Sequence, residues 1–110
     1  MAAGRSWKAL DMIVVVFRSR LKSGVDEAEI AAMGGRMYEL GTAMPGFISY
    51  RDYQSADGES VSIVEFESLE TLAAWRDHPE HRQAQEAGRA KFFSEYSITV
   101  CESVRQHSFP

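Results

Sequence analysis

The first strongly patterned segment, residues 12–21, places the tightest constraint on the fold. Residues 13–17 read Ile-Val-Val-Val-Phe, and β-branched and aromatic residues favour a strand. They are apolar at successive positions rather than at alternate ones, which predicts a strand whose two faces are both covered. Helices can cover one of these faces, and something else must cover the other.

The remaining patterns give the order of elements around this strand. An apolar stripe with helical spacing predicts a helix over residues 25–44, through Ile30, Met33, Met37, Leu40 and Met44. Further strands are predicted over 47–53, 60–67 and 96–104, and further helices over 69–76 and 79–93. This order predicts a ferredoxin-like α+β fold, in which helices cover one face of an antiparallel four-stranded sheet.

The uncovered face of this sheet predicts an assembly. Alternation along the first and third strands leaves an apolar set on that face, which is either Met12, Val14, Val16, Val61 and Ile63 or the alternate residues of these strands. On the second strand, alternation places Tyr50 on the face opposite to Phe47 and Arg51. An exposed apolar sheet is a liability in a monomer, so we expect a homodimer that packs sheet to sheet.

Length and charge exclude several classes of protein. A chain of 110 residues with 45% apolar residues predicts one globular domain, over residues 12–104, with a tail at 105–110. The formal net charge of -4 and the lack of a basic cluster argue against a nucleic-acid partner. The sequence has no signal-peptide core and no apolar run long enough for a membrane span.

Cellular location and the first residues are the next expectations. A single cysteine, Cys101, fits a reducing compartment, and we expect a soluble cytoplasmic protein that binds no membrane. Residues 1–11 are interpreted as an N-terminal extension. It is either an arm that reaches over a partner subunit through Trp7 or a disordered segment.

The segment 74–82, Ala-Trp-Arg-Asp-His-Pro-Glu-His-Arg, concentrates the candidate site residues. Helical projection places His81 on an inward face together with Ala84, Gly88 and Phe92. An imidazole there can serve as a catalytic base, a hydrogen-bond donor to substrate or a metal ligand. The alternative is a half-buried histidine bonded to a backbone carbonyl, Glu80 or Asp77. His78 is interpreted as a helix N-cap, and a metal site would need a third ligand, so no metal is expected.

Aromatic and basic residues elsewhere are candidates to complete the site. Trp75 lies between two predicted helices, where core packing is the simpler interpretation and an aromatic wall for a flat ligand is the functional one. The wall would be completed by Phe17, Tyr50, Phe66 and Phe92. Arg51 and Arg89 are candidates to anchor an anionic or phenolic substrate, and a solvated face is the simpler account of Arg89.

Four short segments give the chain a family resemblance. These are the turn Pro45-Gly46-Phe47, the strand end Glu65-Phe66-Glu67-Ser68, the segment 75–81, and Phe92-Phe93-x-x-Tyr96. Together they resemble the antibiotic biosynthesis monooxygenase domain family over about residues 12–104. The resemblance implies a dimeric α+β barrel with a ligand cavity between the sheet and the helices of each subunit.

Two catalytic residue sets are known among such relatives, and the chain departs from both. The cofactor-independent oxidases use an Asn and a Trp on the third strand and a Tyr on the next helix, where this chain has Ser62, Phe66 and Leu72. The haem-degrading relatives use an Asn on the first strand, a Trp at the end of the first short helix and a helical His that binds iron. The Trp is matched by Trp75, but the other two positions hold Phe17 and Gln85, and His81 lies one turn before Gln85.

The resemblance therefore implies a small monooxygenase that oxidises an aromatic, phenolic or quinol molecule without a bound cofactor. His81 would act as the base, and the pocket would include Ser62 and Gln85 beside the aromatic residues named above and Arg51. The alternative is a non-catalytic dimeric module that binds a small ligand or haem. A third reading is a purely structural dimer whose cavity is filled by side chains.

Overall fold

The computed structural model describes residues 12–110, so both hypotheses for residues 1–11 fall outside the described part of the chain. The predicted ferredoxin-like α+β fold is confirmed. The elements are β1 (Ile13–Leu21), α1 (Glu27–Thr42), β2 (Phe47–Gln54), β3 (Ser60–Phe66), α2 (Leu69–Arg76), α3 (Pro79–Ala87), a π-helical turn (Gly88–Phe92) and β4 (Phe93–Glu102).

The four strands form one antiparallel sheet in the order β2-β3-β1-β4. We call the side that packs on the helices the helix face and the other side the open face. The helix face carries Ile13, Val15, Phe17 and Ser19 from β1 and Ser60, Ser62, Val64 and Phe66 from β3. Of the two sets that alternation left possible for the open face, the structure selects the one with Val16 and Ile63. These two residues pair one residue out of phase with the core positions.

β2 departs from the predicted alternation. Its register against β3 shifts between Phe47 and Ser49, so that one extra residue is accommodated there. Phe47 and Tyr50 therefore both lie on the helix face, opposite Phe66 and Val64. The prediction that Phe47 shares a face with Arg51 is wrong, since strict alternation does not survive a bulge.

Local capping fixes where the helices begin. Asp26 caps α1 by accepting from two backbone N–H groups, and Ser68 forms a capping box with Thr71 at the start of α2. His78 caps α3, since its Nδ1 accepts from the Glu80 backbone N–H at 3.1 Å, and Pro79 follows. The predicted caps Ser68 and His78 are confirmed.

The predicted last helix is too long at its end. α3 stops at Ala87, a π-helical turn follows, and β4 begins at Phe93 rather than at residue 96. The wider turn buries Phe92 and brings the Phe93 ring to 5.5 Å from that of Phe17. A tertiary contact therefore ends the helix at a place that the helical pattern does not mark.

The helices cover the helix face unevenly. The core cluster combines β1 and β3 residues with side chains from α1 and α2, namely Ile13, Val15, Met37, Leu40, Val64, Phe66, Leu72 and Trp75. No helix within residues 12–110 covers the helix face of β4, where Tyr96, Ile98 and Val100 are exposed. None of the helices in the described part of the chain is long and apolar enough to cross a bilayer.

Candidate functional site

Trp75 lies at the centre of the packed side chains near the candidate site. Its ring stacks on Phe66 at 5.6 Å and meets Tyr50 edge-on at 6.0 Å. Gly41 leaves room for the indole, because a Cβ there would lie 3.3 Å from its Nε1. The indole is buried, and its N–H finds no hydrogen-bond partner among residues 12–110. The structure thus places Trp75 in the core, with an indole N–H that is unpaired within the described residues.

His81 is half-buried against the edge of Trp75, with the two ring centroids 4.4 Å apart. The inward orientation predicted for it is what the structure shows. Burial lowers the pKa of His81 below its ordinary value, and the nearby His78 lowers it further, against a smaller opposing effect of Asp77. The ring is therefore neutral at pH 7.

The partner of His81 decides which of its nitrogens carries the proton. Nε2 of Gln85 lies 3.1 Å from Nδ1 of His81. An amide nitrogen only donates, so with this orientation of the Gln85 amide Nδ1 accepts and the neutral ring carries its proton on Nε2. In this arrangement His81 is a hydrogen-bond donor to a ligand and has no free lone pair. A role of His81 as a base needs the lone pair on Nε2, the other tautomer, and stays a prediction. Its observed side-chain partner is Gln85 rather than Glu80 or Asp77.

Ser62 and Asp52 form a polar pair on the helix face. They lie two residues along β3 and β2 from Val64 and Tyr50, which pair with each other. Ser62 stands directly opposite Asp52, and its Oγ donates to Asp52 Oδ1 at 2.5 Å. Ser62 is half-buried, whereas Asp52 is exposed. Burial raises the pKa of the neighbouring Tyr50 phenol, and the Asp52 charge adds to the rise, while Ser62 opposes it. Tyr50 therefore stays a neutral phenol.

Phe17 belongs to a second aromatic group, at the β1–β4 side of the helix face. Its ring lies 5.5 Å from Phe93 and 5.6 Å from Tyr96. Arg89 donates to the Tyr96 hydroxyl at 3.3 Å and is exposed. Phe17 pairs across the sheet with Ser62, so the polar pair lies between this aromatic group and the one around Trp75.

Three predicted site residues do not face a common pocket. Arg51 is exposed on the open face, opposite Ile63, and cannot line a space between sheet and helices. Phe66 is 0% exposed between Phe47 and Trp75, which leaves it no surface for a ligand. Phe92 is buried beside the end of β1, where its carbonyl accepts from the Lys22 N–H at 2.8 Å, and it lies outside the core cluster.

An open groove of about 240 Å³ runs between α1 and α3. Apolar side chains line it, and Arg36 and Glu80 stand at its edge, bonded through two contacts of 2.7 Å. Its lining includes Ala84, one turn beyond His81, but none of the predicted site residues. The groove is therefore a separate feature from the predicted pocket.

The haem arrangement implied by the resemblance does not fit these residues. An axial ligand needs an imidazole nitrogen with a free lone pair. The ligand position on this helix holds Gln85, and the His81 ring one turn earlier is packed against Trp75 and contacts Gln85. No three His, Cys, Asp or Glu side chains within residues 12–110 group as metal ligands. We therefore derive no chemistry through haem.

Two contacts of the site could not be assigned from sequence reasoning. Asp52 was not predicted as a site residue, although its spacing of two from Tyr50 places both on one strand face. Gln85 was predicted, but not as the partner of His81, although a separation of four residues on a helix brings such side chains together.

The fold is that of a small ferredoxin-like α+β domain with aromatic and polar residues on the helix face. Comparisons with known proteins identify the family to which this domain belongs. The family model described as antibiotic biosynthesis monooxygenase matches residues 12–87. The chain therefore belongs to that family, as the sequence resemblance indicated.

Individual relatives share sequence or fold with the chain. The uncharacterized protein YqjZ of Bacillus subtilis (strain 168) is 32% identical over 74 residues, which span 67% of this chain and 65% of YqjZ. The aligned part is thus just under two thirds of that relative. The structure of Rv0793 from Mycobacterium tuberculosis matches with a TM-score of 0.77 and 22% identity, over 88% of this chain and 99% of that one.

A third similar structure is a point mutant of SnoaB from Streptomyces nogalater, which is described as a cofactor-independent oxygenase. It matches with a TM-score of 0.73 and 16% identity, over 87% of this chain and 96% of that one. At such identities the two structural likenesses establish the fold alone.

Proposed function

We propose that this protein is a small cofactor-independent monooxygenase that oxidises an aromatic, phenolic or quinol molecule. The substrate would bind on the helix face beside the Ser62–Asp52 pair. Aromatic rings would flank it there, with Tyr50 and Trp75 on one side and Phe17, Phe93 and Tyr96 on the other. Membership of the family supports a monooxygenase, and the fold shared with a cofactor-independent oxygenase supports chemistry without a bound cofactor.

One observation carries the proposal, namely a neutral, half-buried His81 held in a fixed orientation beside aromatic rings. Its Nδ1 is bonded to Gln85 and its ring packs against Trp75, so its Nε2–H has a defined direction. An oriented donor in a partly dry site stabilises an oxygen anion better than water does, because it needs no reorganisation. A deprotonated phenol or enol is such an anion.

The substrate itself supplies the electrons in this reaction. Loss of a proton to solvent leaves an aromatic anion whose charged oxygen accepts from His81. The anion transfers one electron to O₂, and the resulting radical and superoxide combine into a carbon–oxygen bond. For an anthrone, cleavage of the peroxide O–O bond converts the CH₂ group and O₂ into a carbonyl group and one water. Every electron that reduces O₂ comes from the oxidised carbon.

Oxygen uptake with anthrones and hydroquinones tests this proposal. We expect uptake by the wild-type protein, with one atom of ¹⁸O₂ in the carbonyl of an anthrone product. His81→Ala should lower the rate about 100-fold, within the range for a single anion-stabilising donor. His107→Ala is the matched control, because His107 lies exposed in the tail. Equal rates for the two variants would remove His81 from the mechanism.

A second candidate is a binding module without turnover. The observation that favours it is the burial of Phe66 and Leu72, two positions where cofactor-independent relatives have polar catalytic side chains. Such a module would bind a phenolic ligand and take up no oxygen. Binding in calorimetry, together with no uptake for any anthrone or hydroquinone, would favour it over the enzyme.

We further propose a cytoplasmic homodimer formed through the open face. Val14, Val16, Val61 and Ile63 supply its apolar centre, and only part of each side chain is covered within the single chain. Ile63→Lys is expected to convert a dimer to a monomer in light scattering, whereas Ala74→Lys, on an exposed helix position, should not. A monomeric wild-type protein would contradict the proposal.

A further inference from the structure

The Ser62–Asp52 pair has a fixed hydrogen-bond direction. A carboxylate carries no proton at neutral pH and only accepts, so the Ser62 hydroxyl proton is directed at Asp52 Oδ1. The oxygen of Ser62 is then left with lone pairs and no proton to offer. Towards a ligand on the helix face, Ser62 is therefore an acceptor, although a free serine could donate or accept.

His81 has the opposite direction. Because Gln85 donates to Nδ1, the ring presents an Nε2–H and no acceptor. His81 and Tyr50 both pack against Trp75, with their ring centroids 4.4 Å and 6.0 Å from that of Trp75. Tyr50 precedes Asp52 by two residues on the same face of β2. The half-buried rings of Tyr50 and Phe17 thus lie on either side of the Ser62 acceptor, on the two neighbouring strands.

We propose that Asp52 is a specificity-determining residue, which fixes Ser62 as an acceptor so that the site selects aromatic molecules with a free hydroxyl group. The ligand hydroxyl donates to Ser62 Oγ, and a carbonyl or phenolate oxygen of the same ligand accepts from His81. Ethers and simple ketones lack the donor that Ser62 requires. The inference deepens the proposed function, on which it rests for the position of the pocket.

Naphthol and its methyl ether, methoxynaphthalene, make a suitable pair of probes, because they share the ring system and differ in the hydroxyl proton. Calorimetry under nitrogen measures binding without any oxidation. The wild-type protein is expected to bind naphthol at least about tenfold more tightly than methoxynaphthalene. Only naphthol can donate a hydrogen bond to Ser62, whose oxygen is made a stronger acceptor by its bond to the Asp52 carboxylate. Equal affinities for the two probes, or no binding of either, would overturn the inference.

Asp52→Asn tests the role of the carboxylate. An asparagine amide can donate to Ser62, which frees the serine proton to donate to an ether oxygen. The preference for naphthol should therefore fall to within about threefold, and Ser62→Ala should abolish it in the same way. A preference that survives in Asp52→Asn would show that the carboxylate does not set the specificity.

Asp57→Asn is the matched control, because Asp57 accepts from Ser55 in the β2–β3 hairpin, away from the site. Its preference should equal that of the wild type, and far-UV circular dichroism should be unchanged in all variants. Protein that keeps its preference for naphthol but takes up no oxygen would contradict the proposed enzyme and support the specificity inference. Long-range ¹⁵N–¹H NMR should show the His81 proton on Nε2, and a proton on Nδ1 would remove His81 as a donor.

Discussion

The two ends of the helix face are built from the same strands but differ in what covers them. At one end Phe66 is 0% exposed and Val64 2% exposed, under side chains from α1 and α2. Two residues before Val64 on the same strand, Ser62 is half-buried and its partner Asp52 is exposed. The first end is closed by apolar packing, and the second is polar and open.

This difference shows how one strand can serve stability and recognition separately. The period of two keeps Ser62, Val64 and Phe66 on one face, and only the extent of helix cover changes along it. Apolar burial stabilises in proportion to the area removed from water, so the closed end should dominate the free energy of unfolding. The open end should contribute little to stability and most to ligand choice.

Trp75→Ala should break the closed end with the largest effect. The substitution removes a buried ring that stacks on Phe66 and supports His81, and we expect a loss of about 3–5 kcal/mol in the free energy of unfolding. Urea denaturation followed by circular dichroism measures it. Phe17→Ala is the comparison at the open end, beside Ser62. Loss of its half-buried ring should lower the free energy of unfolding by about half as much. Equal losses would mean that the two ends are packed alike.

Gly46→Ala should have the next largest effect, because Gly46 holds the turn that leads into β2. Its φ is +83°, and an added Cβ would lie 2.5 Å from Thr71 Cγ2, within the capping box of α2. The left-handed backbone alone costs about 1–2 kcal/mol for alanine, and the clash should bring the loss above about 2 kcal/mol.

Gly24→Ala separates these two causes. Gly24 also has a positive φ, of 77°, but an added Cβ there meets nothing within 4 Å. It should show the conformational cost without the clash, again in urea denaturation. If Gly24→Ala destabilises as much as Gly46→Ala does, then contact with Thr71 is not what makes Gly46 necessary.

The closed end was largely predictable from the sequence, and the reason is periodicity. Apolar spacing identified the helix-face positions of β3 and the stripe of α1, and Ser68 and His78 were recognised as caps because capping depends on residues near in sequence. The same alternation reduced the open face to two possible sets of residues. These features all depend on local sequence and on burial.

The parts that could not be predicted depend on contacts between distant residues. The bulge at the start of β2 and the π-helical turn before β4 are set by how strands and rings meet in the folded chain. The Ser62–Asp52 bond depends on the cross-strand register, which no pattern in either strand defines. For the same reason Phe17 was assigned to the Trp75 wall, although it packs with Phe93 and Tyr96.

The pH dependence of stability should reveal how far the burial of His81 against Trp75 contributes to the closed end. Folding lowers its pKa from 6.5, mainly through burial, so the unfolded chain binds the proton more tightly than the folded chain. This contribution to stability is complete above about pH 6.5 and is lost as the pH falls below that value. Thermal unfolding at pH 7.5 and 5.5 should show a smaller decrease in Tm for His81→Gln than for the wild type.

The charged groups near His81 act in opposite directions in this experiment. His78 lowers the pKa of His81 and Asp77 raises it, so Asp77→Asn should enlarge the loss of stability at acid pH. His107→Gln, in the exposed tail, should behave as the wild type does. A Tm that falls equally in the wild type and in His81→Gln would show that His81 is not buried enough for protonation to matter.

Ser62→Ala should have the smallest effect on stability and so sharpens the comparison most. Its hydrogen bond goes to an exposed carboxylate that water can solvate when the serine is removed, so the free energy of unfolding should change by less than about 1 kcal/mol. Val64→Ala, two residues along the same face, should cost about 2 kcal/mol or more, because it opens a cavity in the core. Urea denaturation of the two variants side by side measures the boundary between the ends. A loss at Ser62 as large as that at Val64 would place the polar pair inside the core and leave it no surface for a ligand.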